Sequence, residues 1–386
     1  MTWHALRSTT RWTAGLGIPA LFLTIAWRHT DPRAGASLLA GVGPLLPLAL
    51  LPYAGVLAID ALGWRLLMPG DARSRVRLRD AFTARLAGDA VAQTAPWAGL
   101  AGEAASAWLL ARRSGVLMGR TIGGLVVRRL LLAPGHGIVL VAAALAALVQ
   151  PSLPLPLAAA IGGTAMLLLF ASAAGSKLLI HGTPFSRLQA VLRRRPWAGL
   201  TQWTREPAVR LSEADHEAAR LLAGPWQRRA AAAACFTLVF VAEAGETLFL
   251  LRLLGTRVTP AQVLVIEPVV SLVRAVAVFA PAGLGVQDLG YVSLLQLLGV
   301  PNAAAAGAAF VLLKRLKELV WTTAGWSLLL AADARRAPAL QHGWVQVGPR
   351  REEVGGEPGA AEDLVHLRDA EPDDADAPGR SRTVGA

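Results

Sequence analysis

The chain has 386 residues, of which 54% are apolar and 17% charged, and its mean hydropathy is +0.46. This balance excludes an ordinary soluble domain and places the chain among multi-pass membrane proteins. The net charge of +12 would suggest nucleic acid in a soluble protein, but the basic residues cluster between apolar runs, as orientation signals do.

The last 55 residues carry eleven acids and seven arginines, which leaves the remaining body near +16. Basic loops facing a membrane favour anionic lipid headgroups. The lone Cys235 sits in an apolar run, so disulfides and cysteine-based zinc sites are excluded. Seven scattered histidines give no metal spacing, and no metal or cofactor is expected. Thirty-five arginines against three lysines point to a GC-rich bacterial genome, hence to a bacterial inner membrane.

In chain order, a short basic start with Arg7 and Arg11 leads into a first apolar run, Trp12 to Trp27. A cleavable signal peptide is the competing reading, but Arg28 follows directly and no convincing small-residue cleavage site appears, so an uncleaved span is expected. The second span runs from about Pro44 to Met68 and ends at the interfacial pair Trp64-Arg65, which puts Asp60 at the membrane surface. The basic loop Arg73, Arg75, Arg77, Arg79 is placed in the cytoplasm.

Residues 80–95 are only moderately apolar and carry Arg85 and Asp89, so they cannot face lipid on all sides. The chain breaks at Pro96–Gly102, and a second short helix runs to Arg112-Arg113. We read 79–113 as a re-entrant hairpin; the alternative is a pair of amphipathic surface helices.

A third span covers about Arg120–Val149, with Arg128-Arg129 near the bilayer centre and Gly119 and Gly123 as a small-residue packing face. The fourth ends near Lys177. Residues 177–229 form a loop with ten basic residues, placed in the cytoplasm by positive-inside counting, its Trp197, Trp203 and Trp226 suggesting interfacial helices.

The fifth span, about Ala230–Leu254, carries Glu243 and Glu246. Residues 260–280 enter, break at Pro281–Gly285, and return through 286–299, although 260–280 is long enough to be a full crossing. The last span is Asn302–Ala332, and the tail 333–386 has a disordered composition. The expected fold is thus an all-α polytopic membrane protein, with about six full spans, two re-entrant hairpins and both termini in the cytoplasm.

The two broken segments match one another. A shift of 185 positions places Pro96 on Pro281, Glu103 on Asp288 and Arg129 on Lys314. We read repeat halves at about 44–149 and 230–332, oppositely oriented, within a domain spanning 1–332.

Charges at membrane depth cost about 2.5–3.5 kcal/mol each on insertion scales, so they are kept where they are paired or used. Here they gather around the two breaks. Pro96, Gly99, Gly102, Glu103, Glu267, Arg274, Pro281, Gly283, Gly285, Gln287 and Asp288 are the expected hairpin and cavity residues. Arg128, Arg129, Lys314 and Arg315 are the expected ligands of an anionic lipid headgroup, and helix starts after Pro96 and Pro281 would add positive dipole ends. The alternative is internal pairing of Glu103 with Arg128, Asp288 with Lys314, and Glu267 with Arg274. Lys317-Glu318 reads as an ordinary pair.

Gly-x-Ser-x-Gly, His-Glu-x-x-His and phosphate-loop motifs are all missing, so no catalytic residue is assigned and an enzyme is the less favoured class.

Pro281-Ala-Gly-Leu-Gly-Val-Gln-Asp288, followed by Leu298-Gly-Val-Pro301 and Lys314-Arg315, resembles the C-terminal signature of the lysylphosphatidylglycerol synthase transmembrane-region family, the flippase-like integral membrane proteins. Ala101-Gly-Glu103, Arg113-Ser-Gly115, Arg128 and Trp64-Arg65-Leu-Leu67 resemble its other signatures, and the Gly-Val-Gln-acid form looks most like the members associated with hopanoid synthesis. Three departures stand out: Ala101 for a glycine, Ser106 where the family usually has arginine, and Asp288 for the commoner glutamate.

The resemblance covers about residues 10–332 and implies movement of an amphiphilic phospho- or isoprenoid lipid between leaflets. It leaves no room for the aminoacyl-transferase domain of the fused members. The expected partner is a membrane lipid, with no role for nucleic acid and the oligomeric state open. The alternative is an enzyme or accessory subunit in polyprenyl or hopanoid lipid synthesis.

Overall fold

The structure is a computed structural model that describes residues 32–94, 99–184, 187, 205–276 and 283–334; the first apolar run, Pro96, Pro281 and the acidic tail lie outside the described residues. Every regular element among the described residues is helical. Four apolar helical stretches are long enough to cross a membrane: Arg33–Leu67, Met118–Leu148, Leu155–His181 and Trp226–Leu253.

The chain opens with α1 (Pro32–Val42), a 3-10 segment (Gly43–Leu50) and α2 (Leu51–Leu67). The sequence reading began this span about ten residues too late, because Pro44 and Pro47 resemble a helix boundary. In the structure they fall in the 3-10 segment instead. Pro69 ends α2 by holding Met68 extended, at φ −61° and ψ 141°. Arg65 Nε then donates to the Val76 carbonyl at 2.7 Å and folds the basic loop with α3 (Gly70–Arg75) back under the helix. Asp71 of that loop pairs with Arg120, and this hydrogen bond holds its carboxyl below the ordinary range.

Two short helices follow, α4 (Leu78–Thr94) and α5 (Gly99–Ser114), and later two more, α10 (Pro260–Val276) and α11 (Val286–Leu297). Each pair is closed at its open end by a polar contact. Arg113 Nε reaches Asp80 at 3.0 Å, and Gln262 Nε2 reaches the Leu298 carbonyl at 3.1 Å. Thr259 and Gln262 also form a reciprocal cap at the start of α10, where Pro260 needs no hydrogen-bond acceptor. At the other end, Gly283 and Gly285 have φ of +64° and +76°, a region open to glycine but strained for side chains. The Gly285 N–H donates to Asp288 Oδ2 at 2.9 Å, so the carboxylate restarts the helix.

Four long helices complete the described fold: α6 (Met118–Leu148), α7 (Leu155–His181), α9 (Trp226–Leu253) and α12 (Ala303–Ala334), with the amphipathic α8 (Arg205–Ala223) between α7 and α9. Pro134 interrupts α6 and removes the donor for the Leu130 carbonyl; Ser172 of α7 supplies it instead at 2.9 Å. The expected small-residue face of α6 is real, and its partner is α8: Glu213 lies against Gly119 and Glu217 against Gly123.

The long helices cross between the two sets of short ones. α6 packs on α10, α12 packs on α4, and α2 packs on α9. The α12–α4 crossing is tightest at Gly325, where an added Cβ would stand 2.6 Å from the Leu86 carbonyl oxygen. Gly325→Val should therefore lower stability by about 1–3 kcal/mol through overpacking. Gly163→Val on α7, where nothing lies within 4 Å, serves as the control. Thermal unfolding in detergent checks this, and equal midpoints for the two variants would contradict the crossing.

Candidate functional site

Matching stations on the two sets of four helices carry the buried charges. Asp60 on α2 and Glu246 on α9 each sit about two turns before their helix ends. Arg85 on α4 and Glu267 on α10 each sit about two turns in. Glu103 follows the first turn of α5 and Asp288 lies in the first turn of α11, while Arg128-Arg129 and Lys314-Arg315 stand about three turns into α6 and α12. One station changes sign, Arg85 against Glu267, and the two networks differ accordingly.

In the first network Asp60 is the hub. Arg128 holds it with two parallel bonds, Nε to Oδ1 at 2.7 Å and Nη2 to Oδ2 at 2.6 Å, while Arg85 Nε reaches Oδ2 at 2.9 Å. Planar guanidinium forks suit this bidentate grip. Glu103 accepts from Arg85 at 3.2 Å, Arg128 at 3.3 Å and Arg129 at 2.5 Å. Ser106 Oγ accepts the same Arg85 Nη1 at 3.2 Å. The serine that departs from the family pattern is thus fully buried under Arg85, at a point where α4 and α5 touch through Gly88 and Gly102. A longer side chain at 106 has no room there.

In the second network Glu267 is the hub. Thr247 donates at 2.5 Å, the Tyr291 hydroxyl lies 2.8 and 2.9 Å from the two carboxylate oxygens, and Lys314 Nζ stands at 3.4 Å. Lys314 also donates to the Tyr291 hydroxyl, and Lys317 is paired with Glu246. Arg315 is bound to Asp288 at 2.6 Å and to Glu318 at 2.5 Å. The internal pairings read from sequence are therefore realigned. Glu103–Arg128 forms, but Asp288 takes Arg315, Glu267 takes Lys314, and Lys317 and Glu318 turn to separate partners.

Both networks line one cavity of about 1290 Å³. Arg128, Arg129, Lys314, Gly99, Glu103, Glu267, Arg274 and Gly283 reach its wall. Arg315, Gly102, Gly285, Gln287 and Asp288 do not; they fix the helices behind it. The charges on the wall nearly cancel, with seven carboxylates (Asp60, Asp89, Glu103, Glu243, Glu246, Glu267, Glu318) and six cations (Arg85, Arg128, Arg129, Arg274, Lys314, Lys317).

Among these cations, accessibility separates frame from open surface. The Arg128 and Lys314 side chains are 6% and 8% exposed, whereas Arg129 is 61% and Arg274 39%. Leu57, Ile122, Leu125, Leu132, Leu168 and Val239 supply an apolar portion of the same wall. No group of side chains able to hold a metal ion occurs among the described residues.

Sequence reasoning left Asp60 out of the candidate site. The residue is buried and makes the strongest contacts of the first network. Its signal was present in the sequence: Asp60 lies 186 positions before Glu246, within one position of the repeat shift. Also missed were Tyr53 and His136. The Tyr53 hydroxyl donates to Asp89 while Lys317 stands 4.5 Å over its ring, joining the two networks. His136 Nε2 lies 2.9 Å from the Pro268 carbonyl and stacks on Phe240.

Residues 12–332 match the family described as the lysylphosphatidylglycerol synthase TM region. Helices able to span a membrane, a buried charge network behind two short helix pairs and this match across most of the chain define a multi-pass membrane protein of a lipid-related class. The protein belongs to the lysylphosphatidylglycerol synthase TM region family. No curated protein and no solved structure matches the chain.

Breaking a buried charged hub leaves its partners uncompensated. Asp60→Asn should destabilise the protein by about 3–5 kcal/mol. Arg129→Gln should cost less than about 1 kcal/mol, because its head is already in the wet cavity. Chemical or thermal unfolding of the two variants in one detergent would show this, and a mild Asp60→Asn would remove Asp60 as hub.

Proposed function

We propose that the protein binds an amphiphilic lipid with an anionic head in the charged cavity and passes it between the leaflets of a bacterial inner membrane. One observation carries the reading: a single wall joins accessible guanidinium groups to apolar side chains, a combination that suits a phosphate head continuing into acyl or isoprenoid chains. Because the wall has no surplus of positive charge, the head is gripped by the cations that stand open. Arg129 from the first set of helices and Arg274 from the second take its oxygens, and Arg128 and Lys314 hold the frame they work from. Arg315 anchors Asp288.

The two sets of helices are read as an inverted repeat, each with a re-entrant hairpin, α4–α5 and α10–α11. Their legs have 17, 16, 17 and 12 residues, at most about 25 Å of helix, short of the roughly 30 Å of hydrocarbon. Broken backbone at membrane depth is tolerated where it lines a polar cavity, and a site between opposed repeats can open alternately to either side. The termini and the 177–229 loop are cytoplasmic in this arrangement.

The test is translocation of a fluorescent anionic phospholipid in proteoliposomes. Arg129→Gln combined with Arg274→Gln should slow movement at least about tenfold, the loss expected from two charge-assisted contacts, while membrane insertion holds. Undiminished translocation in that double variant counts against the assignment. A strain that lacks the protein and also lacks a chemically modified lipid would favour the enzyme reading.

A further inference from the structure

Every acid on the cavity wall but one has a close partner among the described residues. Asp60 and Glu103 have arginines, Asp89 has Tyr53 and Gln93, Glu246 has Lys317, Glu267 has Thr247, Tyr291 and Lys314, and Glu318 has Arg315. Glu243 is the exception. Its Oε2 is buried with no hydrogen-bond partner, and its Oε1 stands 3.6 Å from Arg274, outside hydrogen-bonding distance. Glu243 lies well inside the apolar helix Trp226–Leu253, where a carboxylate without hydrogen bonds is costly.

Facing it are Arg274 and Glu267 from α10, Lys314 from α12 and Glu246 one turn along α9. From α2 and α6, Asp60, Tyr53, Arg128, Arg129 and His136 reach the same cavity. Most of these groups are committed elsewhere: Lys314 to Glu267 and Tyr291, Glu246 to Lys317, and His136 to the Pro268 carbonyl. Arg274 is the only cation with an ion pair to Glu243 among the described residues, and its side chain is open to the cavity.

We propose that Glu243 is a proton-binding site linked to anion binding at Arg274. The inference rests on the headgroup reading above and adds the ion that accompanies the head. A phosphate diester oxygen that pairs with Arg274 displaces the Glu243 carboxylate. The carboxylate then takes one proton from the bulk solution and becomes a neutral acid. The cavity gains one negative charge with the head and one positive charge with the proton, so its near-balance of charge is kept. When the head leaves, the proton leaves with it and the long Glu243–Arg274 pair re-forms. Binding that takes up a proton strengthens as pH falls; between the titration of Glu243 in the free protein and its titration in the lipid-bound protein, the affinity drops about tenfold for each pH unit.

The experiment uses the full chain in detergent and weak buffer, with dioctanoyl phosphatidylglycerol as the lipid probe, dimethyl phosphate as the tailless probe, and a pH indicator. The expected result is uptake of about one proton per lipid bound in the native protein. Glu243→Gln should bind the lipid with a pH-independent affinity and take up none. Lipid binding without proton uptake in the native protein, or equal uptake in Glu243→Gln, overturns the linkage and leaves the headgroup site standing. Absence of lipid binding altogether overturns the headgroup reading, and this inference with it. Uptake with dimethyl phosphate but not with the lipid would assign the site to a soluble phosphate ester.

Discussion

A carboxylate clamped between two guanidinium groups inside an apolar protein sets the terms for the rest of this structure. Asp60 is 4% exposed and is held by Arg85 and Arg128 together. Each of those arginines arrives on a different helix, so satisfying one buried charge fixes α2, α4 and α6 relative to each other. Glu103 on α5 then completes the set by taking the remaining donors. Hydrophobic burial gives little help in choosing such an arrangement when lipid is as apolar as the core. Paired charge supplies the missing specificity, and Ser106, Gly88 and Gly102 show how closely the backbone must approach for it to form.

The second set of helices solves the same problem with a different composition. With a glutamate at the station that holds arginine in the first set, the hub becomes Glu267, and hydroxyl groups from Thr247 and Tyr291 take the place of guanidinium donors. The cation that completes this hub, Lys314, is stacked against the Tyr291 ring at 4.4 Å. Neutral donors share the work in this second network, and one of its pairs, Glu243 with Arg274, stands at 3.6 Å.

Much of this was legible in the sequence, for a physical reason. Apolar runs of span length are strong signals, so four of the long helices, Arg33–Leu67, Met118–Leu148, Leu155–His181 and Trp226–Leu253, fall on runs that the sequence marks as apolar. Partner choice was not legible. Asp288 and Lys314 are near in sequence, but the turn of α12 points Arg315 at Asp288 and Lys314 at Glu267. Asp60 was passed over because its nearness to Trp64-Arg65 suggested an interface, whereas its partners Arg85 and Arg128 are distant in the chain. The prolines at 44 and 47 hid the start of that helix, since nothing local reveals that the chain continues through them as a 3-10 segment.

The proposed function requires a lipid head between the two short helix pairs rather than on an outer face of the helices. The most direct measurement is photo-crosslinking with a phospholipid that carries a diazirine in its head, followed by mapping of the labelled peptides by mass spectrometry. Labels are predicted on cavity-wall positions from both sets of helices, around Arg129 and His136 on α6 and around Ser271 to Ala275 on α10. Labels confined to the exposed apolar residues of α7, such as Met166, Leu167 and Phe170, with none in the cavity, would contradict it.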